Sequence, residues 1–510
     1  MSWITLGRGA SQWCRAQTGQ VPPPNPPQPG EGGKHAVPAA PATPASAGSG
    51  RHPAWPARLG KRVRGALADT RPLRTPAFRR LWLAGIVTAI GAQLSVVAVP
   101  VQVFMLTGSS AYVGLTGLFG LVPLVVFGLW GGAIADAADR RTVLLVTGAG
   151  IAVITAALWA STVTGIVTGF GGVWLVLSLY AAQQAFLAID QPTRGAVLPR
   201  LLPAGQLPAA NALNMTVFTF GAIVGPLLAG VLIPVIGLGP LYLLDVLALT
   251  ATLWATWRLP PMPPMPTQAP TPTQPATPPQ APTPTKPAKP TGPAKPPAGT
   301  AAIAPSAGLR DVIAGFVFMA RHKVLLVSLL VDIVAMGAGM PRAVFPEAAV
   351  RTFGDPPTGG PALGWLYASI ALGSVAGGLF SGWLHGVRRQ GVAVTLAICV
   401  WGLGVAAFGL TGTLWLAVLF LAVAGAADLV SAVFRSTMLQ VVATDDMRGR
   451  MQGVFIVVVV GGPRLADLWH GPAAAAAGTA SAATAGGLAV IVLTVAVVAW
   501  YRDFWRYRAL

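Results

Sequence analysis

Residues 131–141 read Gly-Gly-Ala-Ile-Ala-Asp-Ala-Ala-Asp-Arg-Arg, and this stretch decides the fold. An apolar, glycine-rich helix predicted over 115–135 runs into it, and another apolar helix begins at once with Thr142. Two acids and two arginines therefore fill a turn of a few residues between two long apolar segments. The turn is too short for a soluble loop domain, so we interpret it as a charged hinge between two helices.

The composition indicates a polytopic membrane protein. The chain has 510 residues, of which 54% are hydrophobic and 10% are charged, and its mean hydropathy is +0.65. A soluble chain of this length could not cover its surface with so few charges. Cys14 and Cys399 lie far apart and the five histidines form no close pair, so we expect no disulfide framework, no metal and no cofactor.

The net charge of +19 would suit a nucleic-acid-binding protein, but its distribution argues against one. Residues 1–80 hold 12 Lys and Arg against Glu31 and Asp69. These bases border a membrane span, where they set orientation and meet anionic lipid. No basic patch with base-stacking aromatic residues accompanies them, so we expect the bilayer and a small molecule as partners, and not nucleic acid.

From Leu81 onward the apolar runs have membrane-spanning lengths of about 20 residues. We predict twelve spans, over 80–105, 112–136, 142–162, 173–190, 209–235, 239–257, 324–341, 362–385, 391–410, 414–435, 450–472 and 486–502. Between the sixth and seventh lie 18 prolines in residues 258–308, which indicate an extended tether.

The predicted domains follow from these spans. They are a disordered basic tail over 1–74, a six-helix half over 75–257, the linker over 258–308 and a second six-helix half over 309–505. We expect residues 1–62 to be dispensable or absent from the working protein.

Arginine placement predicts the orientation. The segments after even-numbered spans carry Arg140, Arg141, Arg194, Arg200, Arg388, Arg389, Arg448, Arg450 and the basic linker. The segments after odd-numbered spans carry almost none, apart from Arg342 and Arg351. The positive-inside rule then places both termini in the cytoplasm of a multi-pass protein of the cell membrane.

The charged turn resembles the hinge between the second and third helices of major facilitator superfamily transporters. That pattern is Gly, three residues, Asp, a base, any residue, Gly and two bases; Gly132, Asp136, Arg140 and Arg141 match it, and Ala137 and Asp139 do not. The resemblance implies an all-α membrane protein with twelve transmembrane helices in two pseudo-symmetric six-helix halves. It gives a gating role to the matching residues and to Arg388, Arg389, Arg448 and Arg450.

The segment 382–389, which ends the eighth span, echoes this hinge. Two six-helix halves with matching hinges are expected of the superfamily. The alternative, that any cytoplasmic helix end collects arginines, explains the charges but not the glycines.

The fifth span carries a second pattern, formed by Gly221, Gly225, Pro226 and Gly230. It resembles the antiporter motif of superfamily exporters, in which small residues let a neighbouring helix approach and proline permits a bend. Ordinary small-residue packing is the alternative. Proton-coupled drug exporters usually carry an arginine, followed by Gln and Gly, in the middle of helix 4. Residues 177–186 here, which include Gln183 and Gln184, contain no arginine.

Other stretches, among them 192–199 and 340–346, resemble the enterobactin-exporter-like branch over about residues 70–505 outside the linker. This resemblance implies export of siderophores or other amphipathic molecules, and it does not fix the substrate.

Several charged residues fall inside predicted spans, among them Asp245 near the outer end of the sixth. An ionisable group there costs several kcal/mol and is a functional candidate by default. The candidates for coupling or substrate binding are Asp332, Asp428, Arg435, Arg464 and Asp467. Arg464 and Asp467, three apart, can pair locally. The alternative is a fixed lattice of ion pairs holding helices 7, 10 and 11 together.

We therefore predict a monomeric secondary exporter with protons as a candidate coupling ion. An importer of the same fold and a non-transporting membrane receptor or regulator remain alternatives. A membrane enzyme is not expected, because the sequence offers no nucleophile–base pair or metal cluster.

Overall fold

A computed structural model describes the backbone of residues 69–263, 316–442 and 448–508, and the side chains of these residues except 129–137, 442 and 448–457. The predicted tail over 1–74 and most of the predicted linker lie outside the described residues. All the regular structure that is described is helical.

Twelve long helices follow one another along the chain. They are α1 Pro76–Thr107, α2 Ser110–Ala137, α3 Arg140–Val163, α4 Gly169–Leu201, α5 Leu207–Ile236, α6 Leu238–Trp257, α7 Lys323–Gly339, α8 Pro361–Leu379, α9 Gln390–Leu410, α10 Leu414–Val442, α11 Arg448–Ala477 and α12 Thr479–Trp500. Shorter helices cover Phe345–Arg351 and Arg502–Arg506, and 3-10 turns cover Arg71–Arg74, Ala204–Gln206, Arg342–Val344 and Ser381–Gly386.

Each long helix matches one predicted span. Eleven of them are long and apolar enough, within the described residues, to cross a membrane. The remaining one, α11, has 30 residues and carries Arg464 and Asp467 inside it. At 1.5 Å per residue it is about 45 Å long, which exceeds the hydrocarbon thickness. The twelve-helix membrane fold is confirmed.

Helix α10 continues to Val442, seven residues beyond its predicted end, and two other spans also end differently from the prediction. Helix α4 continues to Leu201 through Pro192, because side chains bind across the proline: Arg194 pairs with Asp190, and the Thr193 hydroxyl donates to the Ile189 carbonyl at 2.8 Å. Helix α8 stops at Leu379, six residues early. Consecutive glycines at 377–378 weaken its last turn.

The helix contacts repeat with a period of six helices. Helix α1 packs on α5 and α6, and α7 packs on α11 and α12; α4 packs on α2 and α3, and α10 packs on α8 and α9. Single glycines with positive φ separate α5 from α6 and α11 from α12, at Gly237 (φ 79°) and Gly478 (φ 87°). The two halves are therefore copies of one six-helix plan.

The halves meet through α2 with α11 and α5 with α8. We call the end of the bundle where α2, α4 and α6 finish the linker face, and the opposite end the far face. Backbone meets backbone at the far face: a Cβ on Gly230 would lie 2.9 Å from the Gly364 Cα, and one on Gly471 would lie 2.7 Å from the Gly114 Cα.

One apolar core joins the halves at the far face. It contains residues of α1, α5 and α6 together with residues of α8, α9 and α12, including Phe104, Ile233, Leu363 and Phe408. Towards the linker face the apolar clusters belong to one half each.

At the linker face the inter-half surfaces lie open. The described contact between α2 and α11 reaches Leu121 against Gly461. Beyond it, Val125 and Phe127 are 42% and 40% exposed, and Leu379 at the end of α8 is 78% exposed. Among the residues whose side chains are described, the packing of one half on the other is therefore concentrated at the far face.

Two alanine substitutions in α2 test this asymmetry. Gly114→Ala places a methyl group 2.6 Å from the Asp467 carbonyl oxygen, so we expect a loss of about 1–3 kcal/mol in the free energy of unfolding from overpacking. Gly128 has no heavy atom within 4 Å of an added Cβ, so Gly128→Ala should keep only the helix-propensity gain of about 0.5–1 kcal/mol. Thermal unfolding in detergent measures both; equal shifts would contradict the closed far face.

Candidate functional site

A charged triad lies inside the second half. Arg435 on α10 forms an ion pair with Asp332 on α7, and its Nη2 lies 3.8 Å from Oδ1 of Asp428, two turns earlier on the same face of α10. The side chains of Arg435 and Asp332 are 3% and 1% exposed, and that of Asp428 is 29% exposed. Two carboxylates therefore share one guanidinium, with one carboxylate sealed inside and the other at the edge.

A second polar contact crosses from one half to the other. Arg464 on α11 donates from Nη2 to the Gln184 side-chain oxygen on α4 at 2.6 Å, and from Nη1 to the Val460 carbonyl at 2.9 Å. Tyr180 lies beside this contact. A Cβ built on Gly120 would be 2.7 Å from Arg464 Nε and 3.3 Å from the Tyr180 ring, so both side chains pack against the same glycine.

The predicted local pairing of Arg464 with Asp467 is wrong. Among the described residues Arg464 forms no ion pair, and Oδ1 of Asp467 is buried without a hydrogen-bond partner. The guanidinium extends to α4 because an acceptor in the other half lies in line with it. The predicted lattice over three helices is thus limited to α7 and α10 in the described part of the chain.

The hinge after α2 ties one half together at the linker face. Asp139 caps α3 by accepting from the Thr142 N–H at 3.1 Å, and it also accepts from the Met262 N–H at 2.8 Å. Arg140 donates to the Ala196 carbonyl on α4 at 3.0 Å, and Arg141 donates to the Trp257 carbonyl at the end of α6 at 2.7 Å.

The two arginine side chains thus bind the neighbouring helices, and the Arg140 backbone N–H donates to the Met262 carbonyl at the start of the linker at 3.2 Å. Asp139, which departs from the family pattern, serves as a helix cap and as an acceptor for the start of the linker. Gly132 and Asp136 lie in α2, and Arg448 and Arg450 in α11; their side chains lie outside the described residues, and their gating roles stay predictions.

A buried brace continues the hinge into α4. Arg194 forms an ion pair with Asp190, four residues earlier, and the Thr147 hydroxyl of α3 donates to the other oxygen of Asp190 at 2.9 Å. The spacing of four residues on one helix favours this salt bridge. Thr147 was missed, because a threonine within an apolar run gives no signal of its own.

At the far face a latch joins the halves. Ser110, the first residue of α2, donates to the carboxylate of Glu347 on the short helix after α7. Glu347 also pairs with Arg351 at 2.9 Å, and Arg351 donates to the Gly108 carbonyl at 3.4 Å. From sequence, Arg351 is only an exception to the placement of arginines after even-numbered spans. Its spacing of four residues from Glu347 is the signal that could have revealed the pair.

Asp355 holds the next loop in place. Its carboxylate accepts from the N–H groups of Ala362 and Leu363 at 3.2 Å and 2.9 Å, and so caps α8. Burial raises the pKa of this carboxyl, and the two N–H groups act against that change.

Comparison with known proteins gives the family. A family model described as transmembrane secretion effector matches residues 67–270. The enterobactin exporter EntS of Shigella boydii serotype 18 is 27% identical over 449 residues, covering 85% of this chain and 94% of that protein, and EntS of Escherichia coli O81 gives the same values.

Solved structures share the fold. The nucleoside transporter NupG superposes with a TM-score of 0.61 at 13% identity, over 84% of this chain and 99% of that one. A bacterial homologue of the human lysosomal transporter Spinster, in an inward-facing conformation, gives 0.57 at 18% over 86% and 98%. The chain has the fold of major facilitator superfamily transporters. It is a membrane transporter, and superfamily transporters bind small-molecule substrates within the membrane.

The glycines of the antiporter-like pattern in α5 let this helix pack closely on its neighbours. A Cβ on Gly221 would lie 2.8 Å from that of Ala89 on α1, and one on Gly225 would lie 3.1 Å from the Ile90 carbonyl. On its other side α5 meets α8, where Gly230 lies beside Gly364. A Cβ added to Gly364 would be 2.7 Å from the Pro226 carbonyl oxygen. The pattern lets α5 touch one helix of each half.

The hinge echo after α8 takes a different form from the superfamily hinge after α2. Residues Ser381–Gly386 form a 3-10 helix, and Arg388 and Arg389 are exposed beyond it. Neither arginine forms an ion pair or hydrogen bond with another described residue, whereas Arg140 and Arg141 bind carbonyls of α4 and α6.

One further buried acid lies in the first half. Asp245 on α6 accepts a hydrogen bond from Ser95 on α1, and its second oxygen is buried without a partner among the described residues. A lone serine in an apolar helix did not reveal this contact from sequence.

The triad predicts a strong non-additive effect on stability. Arg435→Gln leaves Asp332 buried without its cation, which should cost about 3–5 kcal/mol. Asp332→Asn combined with Arg435→Gln should recover most of that loss, because no buried charge remains. Thermal unfolding in detergent measures both variants, with the exposed Arg506→Gln as a control expected to stay within about 0.5 kcal/mol. A double variant as unstable as Arg435→Gln would contradict the pairing.

Proposed function

We propose that this protein is a secondary active exporter that moves a siderophore-like or other amphipathic small molecule out of the cytoplasm by alternating access. The observation that carries the proposal is the division of the core: the halves share one apolar core at the far face, whereas the described apolar clusters towards the linker face each belong to one half. A transporter that works by alternating access has its two halves packed together on the side where its substrate site is closed. The identity with EntS supports the class of cargo.

The linker face would be the cytoplasmic face, with both termini on that side. The hinge arginines, Arg194, Arg388 and Arg389 lie there, and the positive-inside rule assigns such a face to the cytoplasm. The cell membrane is the expected location.

The triad would couple transport to protons. When both carboxylates are ionised, Asp332, Asp428 and Arg435 carry a net negative charge, which is costly inside a bilayer. One bound proton removes that cost. Asp428 sits at the edge of the triad, so it would exchange the proton, while Asp332 keeps Arg435 in place.

Switching would require two changes. The latch of Ser110 with Glu347 would open at the far face, and the contact of Arg464 with Gln184 would have to rearrange because it joins helices of opposite halves. At the linker face, Asp136 on α2 would then approach Arg448 and Arg450 at the start of α11, where the helix N-terminus favours an acid.

A matched pair of single cysteines tests the orientation. Gly412 lies at the far face and Gly205 at the linker face, and an added Cβ meets no heavy atom within 4 Å at either position. With Cys14 and Cys399 replaced by serine, a membrane-impermeant maleimide should label Gly412→Cys in intact cells and Gly205→Cys only after permeabilisation. Labelling in the opposite order would reverse the assignment.

Flux into inside-out vesicles tests the function. With enterobactin as the first probe, the wild type should accumulate it when the lumen is acid. Asp428→Asn should reduce this proton-driven accumulation by about tenfold or more, since coupling free energies of 1–3 kcal/mol correspond to about 5- to 150-fold. Asp69→Asn, at an exposed ion pair before α1, is the carboxylate control and should transport normally.

The possible outcomes separate the alternatives. Full proton-driven flux in Asp428→Asn would remove the coupling role of the triad. Efflux from inside-out vesicles without accumulation would favour an importer, and no flux for enterobactin or other amphipathic probes would favour a receptor.

A further inference from the structure

We propose that a pocket at the linker face of the second half binds the phosphate group of an anionic phospholipid. The pocket has a volume of 690 Å³. It lies between the 3-10 helix after α8, the start of α9, α10 and the C-terminal segment. Its lining residues are Leu384, His385, Val387, Arg388, Gln390, Val433, Phe434, Thr437 and Arg508.

The pocket is a built feature of the fold. The C-terminal helix Arg502–Arg506 packs on α9, and its Phe504 is fully buried in one apolar cluster with Leu384, Val394 and Phe434. This packing holds the chain end against the start of α9, and it brings Arg508 to the wall that Arg388 also lines.

The charge of the pocket is positive and uncompensated. Arg388 and Arg508 are its two guanidinium groups, and no carboxylate is among the lining residues. Neither arginine forms an ion pair or hydrogen bond with another described residue. Arginines with free donors are suited to a phosphate, which accepts two parallel N–H bonds.

A nearly buried glutamine adds a second, independent signal. Gln390 is 7% exposed, lines the pocket and forms no side-chain hydrogen bond with another described residue. It is the first residue of α9, whose N-terminus has no side-chain cap. An amide without a protein partner can donate to an oxyanion, and free N–H groups at a helix N-terminus favour an anion.

The apolar part of the wall indicates a lipid as the source of the phosphate. Val433 and Phe434 of α10 form that part. Close by in the chain, Phe380 and Trp383 are 78% and 57% exposed, as aromatic residues at a membrane interface are. A phospholipid would place its phosphate on the arginines and its acyl chains along the apolar wall, whereas a free phosphate would leave that wall uncovered.

Native mass spectrometry of the full chain, purified with phosphatidylglycerol and moved into a mild detergent, tests the site. The pocket variant is Arg388→Gln with Arg508→Gln. The control is Arg502→Gln with Arg506→Gln, which removes two exposed arginines from the same C-terminal segment outside the pocket. We expect the affinity for one retained phosphatidylglycerol to fall about fivefold for each pocket arginine removed, and to stay at the wild-type level in the control.

Competition between retained phosphatidylglycerol and added glycerol phosphate distinguishes the two sources. Retained phosphatidylglycerol that millimolar glycerol phosphate does not displace supports the phospholipid. If millimolar glycerol phosphate displaces the lipid from the wild type, and the pocket variant no longer binds glycerol phosphate, the proposal of a phospholipid is overturned. The site is then assigned to a soluble phosphate ester. Equal lipid retention in pocket and control variants overturns the site. Arg508→Gln alone, at the exposed chain end, gives the same comparison if the double variant does not fold.

Discussion

Backbone packed on backbone at the far face is the constraint on which the rest of this structure depends. Gly230 with Gly364 and Gly114 with Gly471 let helices of opposite halves approach without a Cβ between them, so that one apolar core can include both halves. A close-packed interface is bistable rather than gradually deformable. The halves therefore stay joined at that face, and the separation falls at the linker face.

Charge inside the bundle obeys a second constraint. A polar group in hydrocarbon needs a partner, and the structure meets this need mostly between helices: Arg435 with Asp332, Arg464 with Gln184, and Ser95 with Asp245. Contacts within one half can persist while the halves move. A contact between halves, such as that of Arg464, has to change partners, and this difference separates structural polar groups from those suited to a transport cycle.

The two hinges show how a sequence repeat diverges in structure. The hinge after α2 is satisfied internally, because Asp139, Arg140 and Arg141 bind backbone groups of α3, α4, α6 and the linker start. The segment after α8 ends in a 3-10 helix and leaves Arg388 facing a pocket. The same pattern of glycines and arginines thus stabilises one half by its own bonds and leaves the other with donors for a ligand.

The sequence by itself determined the twelve helices, their grouping in two halves and the arginine-rich face, because hydropathy, length and charge placement are local properties of the chain. Only the tertiary structure decided the partners of the buried charges. Spacing favoured Asp467 for Arg464, yet the guanidinium binds Gln184, 280 residues away; Arg435 takes Asp332 from another helix. Spacing along one helix shows only which charged residues could pair. In a helix bundle, the side chains of neighbouring helices determine the rotamer of each charged residue, and the rotamer determines which contact forms.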